Sequence, residues 1–281
     1  MHSHSATTQF NNCPYAHHLK DEGYKGPEKD VRGNQAEWSR GLHAALEAME
    51  LGKTQAEVWE AFTTVYPEDL DPTDNLRTQE AATHTLAAYR TNYHRDAEEW
   101  ETIATEFDNK ADISDTQSHL VIDSVRRHRA SGSIYLWDYK VKKEYKYGWG
   151  KQYELDAQFS RYVEYARSKW GDCAGVYIDL IVPNYRSKKW KDRPAGWDIK
   201  LERKSFTRTT DHVAWWKQSQ ADWERLMLFC DEQKVWPKHQ GPLCSYCTFY
   251  DHCMAATQGA GQEILDSLYT EFNPLEEGHD A

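Results

Sequence analysis

The stretch from Leu120 to Lys140, LVIDSVRRHRASGSIYLWDYK, constrains the fold more than any other part of this 281-residue chain. β-Branched and aromatic residues (Val121, Ile122, Val125, then Ile134, Tyr135, Trp137) stand on either side of a polar loop containing Ser131-Gly132-Ser133. That is the pattern of two strands joined by a short turn. Side chains alternate along a strand, so Asp138 and Lys140 share one face, while Asp123 lies inside the first apolar run. Two acids at neighbouring strand ends can hold a hard divalent cation, and a lysine two residues from one of them can orient a water or neutralise a phosphate. An ordinary hairpin with surface charges would carry the same residues, so the rest of the chain decides.

The length allows one full core, as one large domain or one domain with appendages. No apolar run approaches a membrane span, and MHSHSATTQF lacks the basic-then-apolar order of a secretory signal. The expectation is a soluble intracellular protein with no membrane partner. Six cysteines are too few for a disulfide scaffold, and three of them crowd between Cys244 and Cys253, which suits a metal site. The net charge of -11 speaks against a nucleic-acid partner, but its distribution does not. From Ser124 to Lys204 there are 19 Lys and Arg against 10 Asp and Glu, a local +9; the remainder carries 15 against 35, or -20. The positive stretch includes the Asp138-Lys140 strand, where it would focus potential on a phosphate.

In chain order, Cys13-Pro14 alone reads as a small buried thiol. After Gly33, Trp38, Leu42, Ala45, Leu46 and Met49 recur at helical spacing, with His43 beside the stripe. Gly52-Lys53-Thr54 looks like the end of a phosphate-binding loop, but Glu47 stands where its first glycine belongs and a helix precedes it. Further helices are predicted over 54–63 and about 76–94, then a strand from Trp100 to Phe107 with Glu106 as a further acid close to a metal. Val141 to Lys151, VKKEYKYGWGK, interleaves lysines with Tyr145, Tyr147 and Trp149, as a loop touching phosphates and stacking on bases would, or a hairpin with one wet face. A helix over 152–169 puts Gln158 and Tyr162 on one face. Strands are predicted at 174–182 and 198–206, separated by a basic loop from Arg186 to Arg193 around Trp190. A helix over about 210–233 follows, whose Trp215, Trp216 and Trp223 are expected in the core. Cys244, Cys247 and Cys253 form a chelating loop with room for one more ligand. The end is acidic, with one short helix at most and a mobile tail.

These pieces in this order resemble the PD-(D/E)XK nuclease superfamily, in particular the branch of the RecB and AddB nuclease domains and the CRISPR-associated iron-sulfur exonucleases. The match runs from Cys13-Pro14 through Gly41-Leu42-His43, Ile122-Asp123, Asp138-Tyr139-Lys140 and Gln158-x-x-x-Tyr162 to Cys244-x2-Cys247-x5-Cys253. The resemblance implies an α/β fold: a restriction-endonuclease-like core with a central mixed sheet flanked by helices. One nuclease domain would span 1–258, with a helical insertion at about 50–97, an iron-sulfur segment at 241–256 joined to Cys13, and an acidic tail over 259–281.

It further implies that His43, Asp123, Asp138 and the Tyr139 backbone carbonyl bind Mg²⁺ or Mn²⁺, and that Lys140 orients the attacking water. Gln158 and Tyr162 would contact DNA or support the active face. Cys13, Cys244, Cys247 and Cys253 would hold a 4Fe-4S cluster, for which Zn²⁺ is the alternative, while Cys173 and Cys230 are buried thiols. The activity expected is that of a metal-dependent DNA exonuclease acting on ends or single strands, in the cytoplasm of a bacterial cell or phage-infected host. Its setting would be recombination, repair, phage DNA metabolism or CRISPR adaptation, with recombination or adaptation proteins as partners and the oligomeric state open. A non-cleaving DNA-binding adaptor on the same fold is the alternative from another class. The chain departs from the family at Leu120-Val121, where a glycine is usual, and at Val141-Lys142, where Thr-Gly is common. Both departures concern the cleft wall, hence substrate shape and polarity.

Overall fold

A computed structural model describes residues 4–25, 34–71, 73–113, 116–186 and 196–271. The chain divides into two compact units, one of Val31–Asn109 and Leu120–Val213, the other of Met1–Asp30, Lys110–His119 and Ala214–Ala281. The second unit opens with helices α1 (His4–Asn12) and α2 (Pro14–Asp21) and the short strand β1 (Tyr24–Lys25). The first unit follows with α3 (Asn34–Glu50), α4 (Gln55–Val65), α5 (Gln79–Asn92) and a turn of helix α6 (Asp96–Glu99). Strands β2 (Trp100–Ile113), β3 (Thr116–His128) and β4 (Ile134–Val141) come next, then α7 (Lys151–Glu154) and α8 (Ala157–Trp170). Strand β5 (Cys173–Val182), the two-residue strands β6 (Tyr185–Arg186) and β7 (Gly196–Trp197), and β8 (Lys200–Thr207) complete its sheets. Helix α9 (Thr210–Gln233) leads the chain on to α10 (Tyr250–Ala256), α11 (Gly261–Leu268) and β9 (Thr270–Glu271), which pairs with β1.

Five strands form one mixed sheet in the order β2-β3-β4-β5-β8. Strands β3 and β4 are antiparallel, with Arg127 opposite Ile134 and Ser124 opposite Trp137. Strand β5 runs parallel to β4, setting Asp138 beside Ile178 and Lys140 beside Leu180, and the crossover that a parallel pair requires is helix α8. Strand β8 returns antiparallel with Arg203 opposite Asp179. A strand covered on both faces reads as a nearly continuous apolar run, and β5, CAGVYIDLIV, is buried at eight of its ten positions.

The stripe Trp38, Leu42, Ala45 and Leu46 on α3 is buried. It packs with Phe62 of α4 and its C-cap Tyr66, Leu86 and Tyr89 of α5, and Trp137, Tyr139 and Ile181 of the sheet. Helix α4 sits close because Gly41 has no side chain: a Cβ there would lie 3.0 Å from the Phe62 ring. The Gly52-Lys53-Thr54 run turns out to be a helix boundary. Gly52 adopts φ +71° and Thr54 caps α4 in a reciprocal box with Glu57.

In the second unit, Ala16, Leu19, Phe249, Leu265 and Tyr269 form one cluster, and Phe10, Met227 and Cys230 another, against which Trp223 packs. The three tryptophans of α9 do not all reach a core. Trp216 is buried, but Trp215 is 60% exposed, because adjacent positions on a helix lie about 100° apart and cannot share a buried stripe. Cys173 and Cys230 are buried thiols. Most of the basic loop from Arg186 to Arg193 with Trp190, and the tail from residue 272, lie outside the described residues. Among the described residues, no helix is long and apolar enough to cross a membrane.

One acid sits in the middle of the apolar strand β5, and its surroundings explain why it is tolerated. Asp179, fully buried, accepts hydrogen bonds from Arg203 Nε at 2.6 Å, Tyr89 Oη at 2.5 Å and Trp137 Nε1 at 3.1 Å. Arg203 in turn forks onto Asp96 with two contacts of 2.8 Å. A buried charge is stable only when its partners remain. Asp179→Ala should therefore lower unfolding free energy by about 3–5 kcal/mol in urea titrations. Arg127→Ala, which breaks the exposed Arg127–Glu101 pair, should cost less than about 1 kcal/mol.

Candidate functional site

The site forms where β3 and β4 stop pairing through main chain alone. Past the Ser124–Trp137 pair, the Asp123 carboxylate takes over: its Oδ2 accepts the Tyr139 N–H at 2.8 Å. Strand alternation then divides the Asp138-Tyr139-Lys140 run. The Tyr139 ring turns toward α3, where it meets the His43 ring edge-on at 5.7 Å. Lys140 reaches toward α8, its ammonium 5.8 Å from the Phe159 ring centroid and within 2.8–2.9 Å of both Asp138 oxygens. His43 comes from the exposed edge of the α3 stripe and stands 3.5 Å from Asp123 Oδ2.

His43, Glu106 and Asp123 offer three donor atoms that all lie within 4.8 Å of one another. Asp138 is not in that triplet but belongs to the same electrostatic cluster. Burial pushes its carboxyl up to about 6, against the pull of Lys140 and with a further push from Asp123. Burial opposes ionisation of Asp123 too, yet His43 beside it and the Tyr139 N–H hold it below the usual carboxylate range. The Glu106 carboxyl is raised to about 7 by partial withdrawal from water and the neighbouring Asp123. Burial would lower Lys140, but Asp138 outweighs it and keeps the ammonium above the ordinary lysine range.

The cluster fits a divalent cation on two grounds. Acids that raise one another's pKa are relieved by a positive ion, and oxygen donors with one imidazole suit Mg²⁺ or Mn²⁺. In addition Asp138 Oδ2, buried, has no well-aligned hydrogen-bond donor among the described residues, despite its closeness to Lys140 Nζ.

On α8, Asp156 caps the helix and Gln158 donates to the Tyr162 hydroxyl at 2.8 Å. Burial raises the Tyr162 phenol to about 12 against that hydrogen bond, with Asp138 and Asp123 adding to the rise. The pair thus borders the acidic cluster.

A model of the PD-(D/E)XK nuclease superfamily matches residues 2–254. The chain belongs to this superfamily. Three solved structures are similar at low identity. A "putative exonuclease" from Eubacterium rectale is 12% identical, with 86% of this chain and 91% of that one covered and a TM-score of 0.45. SSO0001 is 14% identical, covering 78% and 84%, with a TM-score of 0.30. LHK-Exo in complex with dAMP is 12% identical, covering 71% and 97%, with a TM-score of 0.26. No curated protein matches the chain. The sheet order and helix placement agree with the mixed α/β core of a PD-(D/E)XK nuclease, a phosphodiester hydrolase that acts on nucleic acid with divalent cations such as Mg²⁺ or Mn²⁺.

Behind the acidic cluster, α3 is fastened to the sheet by its acids. Glu50 follows His43 by seven residues, two helical turns, and accepts from Ser124 Oγ at 2.5 Å, Thr102 Oγ1 at 2.8 Å and Arg126 at 2.8–2.9 Å. Arg126 also donates to the Tyr139 hydroxyl at 2.6 Å, and Glu47 accepts from Thr105 Oγ1 at 2.6 Å. These residues hold the helix that bears His43 and the strand that bears Glu106. Sequence spacing pointed to none of them. The available signal was a second alternation inside β3, where polar Ser124 and Arg126 occupy one face of an apolar strand.

Cys13 is the N-cap residue of α2, Cys244 sits in a 3₁₀ turn (Pro242–Tyr246), Cys247 follows it and Cys253 lies on α10. All four line one cavity of about 460 Å³, together with Tyr15, His239 and Phe249. Burial raises the Cys247 and Cys253 thiols, and the neighbouring cysteines raise them further. A metal ion bound to such thiols would favour their thiolate forms.

Glu106 has φ +39° although it is not glycine and lies within β2. A left-handed conformation costs an L-residue about 1–2 kcal/mol. Glu106→Gly should therefore unfold at higher denaturant than Glu106→Ala, by about 1 kcal/mol, the reverse of the usual order in a strand.

Proposed function

We propose that this nuclease is a metal-dependent DNA exonuclease acting at free ends or on single strands. The observation that carries this reading is the convergence of His43, Glu106, Asp123 and Asp138 on one side of Lys140, at the point where Asp123 replaces main-chain pairing of β3 with β4. His43, Asp123 and Asp138, with the Tyr139 carbonyl, would hold Mg²⁺ or Mn²⁺, and Glu106 adds a donor to that set. Bound there, the cation would supply Lewis acidity toward a phosphate oxygen.

The chain's own residues do the rest. Asp123, fixed by the Tyr139 N–H and by His43, presents its carboxylate in one orientation. Lys140, held charged by Asp138, offers its ammonium to the attacking water and to the charge that builds on the phosphate. The Gln158–Tyr162 pair borders the cluster from α8, where it can meet the DNA backbone. The surplus of 19 basic over 10 acidic residues from Ser124 to Lys204 supports a polyanionic substrate.

In the second unit, Cys13, Cys244, Cys247 and Cys253 would hold a 4Fe-4S cluster of structural role, supported by their shared cavity. The work of such an enzyme is DNA recombination, repair, or phage or CRISPR DNA processing.

Lys140→Ala should abolish cleavage of end-labelled linear DNA while leaving DNA binding within a few-fold; equal turnover would refute the role of Lys140. Chelator should stop the wild-type reaction, and a circular single strand should survive it. Anaerobically purified protein should be brown with broad visible absorption that Cys13→Ala removes. A colourless protein carrying stoichiometric zinc would assign the cysteines to Zn²⁺ instead.

A further inference from the structure

The loop from Lys142 to Gly150 leaves β4 two residues after Lys140 and ends at α7, whose Tyr153 ring packs at 5.8 Å on Phe159, the ring that the Lys140 ammonium approaches. Both its ends are thus rooted beside the acidic cluster. It is a loop rather than a pair of strands, and its aromatic residues fare differently. Trp149 is buried, edge-on to the Tyr153 ring at 5.9 Å and under the Lys204 ammonium at 4.8 Å. Gly150 lies so close to β8 that a Cβ would come 2.9 Å from the Lys204 side chain and 3.2 Å from Phe206. Tyr145 is covered in part by Lys200, 5.0 Å from its ring centroid. Tyr147 is 99% exposed.

A loop pinned to the sheet by Trp149 and Gly150 therefore holds one aromatic ring almost wholly in water. Lys142, Lys143, Lys146 and Lys151 flank it in sequence, all exposed, with Glu144 the one acid between them and paired with Lys146 at 3.2 Å. An exposed ring amid lysines matches an unpaired nucleotide: the base offers a flat face to the ring and the phosphates on either side offer charge to the ammonium groups. A base pair inside a duplex has no free face, because its neighbours in the stack cover both.

We infer that Tyr147 is a stacking platform for an unpaired base of a DNA single strand, and that the loop around it guides that strand toward Lys140. The inference rests on the nuclease reading and specifies its substrate as a single-stranded end.

Binding in chelator separates this inference from catalysis. Fluorescence anisotropy would compare a labelled single strand with a blunt duplex closed by hairpins, for wild type, Tyr147→Ala and Tyr147→Trp. The Ala variant should bind the single strand roughly 5- to 150-fold more weakly, the range that stacking one base on one ring supplies, and the duplex within twofold. The Trp variant should restore single-strand affinity. A strand with 2-aminopurine scanned along it should be quenched at one position by wild type and by Tyr147→Trp, and at none by Tyr147→Ala. Unchanged single-strand affinity in Tyr147→Ala, an equal loss on both DNAs, or no single-strand binding by wild type would each overturn the inference. Quenching by a protein that cleaves nothing with Mg²⁺ or Mn²⁺ would uphold the platform and refute the nuclease reading; cleavage with no effect of Tyr147→Ala would do the reverse.

Discussion

Two arginines between helices and sheet, Arg126 buried and Arg203 partly so, hold the larger unit in register. Arg126 and Arg203 meet at Asp96, which accepts from both, and each has a further acid of its own, Glu50 for Arg126 and Asp179 for Arg203. Charges taken out of water cost several kcal/mol each unless matched in number and direction, so such a cluster tolerates very few arrangements of the backbone around it. The acids come from α3, α6 and β5, the arginines from β3 and β8. Every one of these elements is thereby tied to the others by geometry as well as by apolar contact.

That constraint reaches the acidic cluster through two-residue alternation. Tyr139 faces the arginines with its hydroxyl on Arg126, while its neighbours Asp138 and Lys140 face the other way. Any twist of β4 that loosened the Tyr139 hydroxyl would turn the acid and the lysine with it. His43 is linked just as firmly, because Glu47 and Glu50 lie one and two turns along the same helix and bond to strands of the sheet. The acidic cluster itself contains repelling carboxyls and the strained Glu106, so its order comes from the matched charges behind it.

Much of this was legible in the residues. The apolar spacing of α3, the continuous run of β5 and the charged end of β4 each report a local period, and local periods survive into the fold. The partners of Asp179 and Glu50 are set by strand order and crossing, which no short window contains; an acid within CAGVYIDLIV announces that a buried cation must exist without saying it is Arg203. Glu106 was legible as an acid near the end of the strand expected from Trp100 to Phe107, but β2 runs on to Ile113, and the positive φ at which Glu106 joins His43 and Asp123 has no signal in the sequence. Trp215 fails for the opposite reason: composition suggested a core residue, and helix phase put it outside. Superfamily membership adds the chemistry that the separate residues, each common alone, could not specify.

The cavity lined by four cysteines has walls from opposite ends of the chain, with more than two hundred residues between Cys13 and Cys244. Helix α2 likewise buries Ala16 and Leu19 against Phe249 and Leu265. During synthesis, then, helix α2 is made more than two hundred residues before its partners Phe249 and Leu265. It must wait, apolar face uncovered, while the sheet of the larger unit is translated. Helix α2 is thus a part of this nuclease that needs protection on the ribosome until its apolar face is covered.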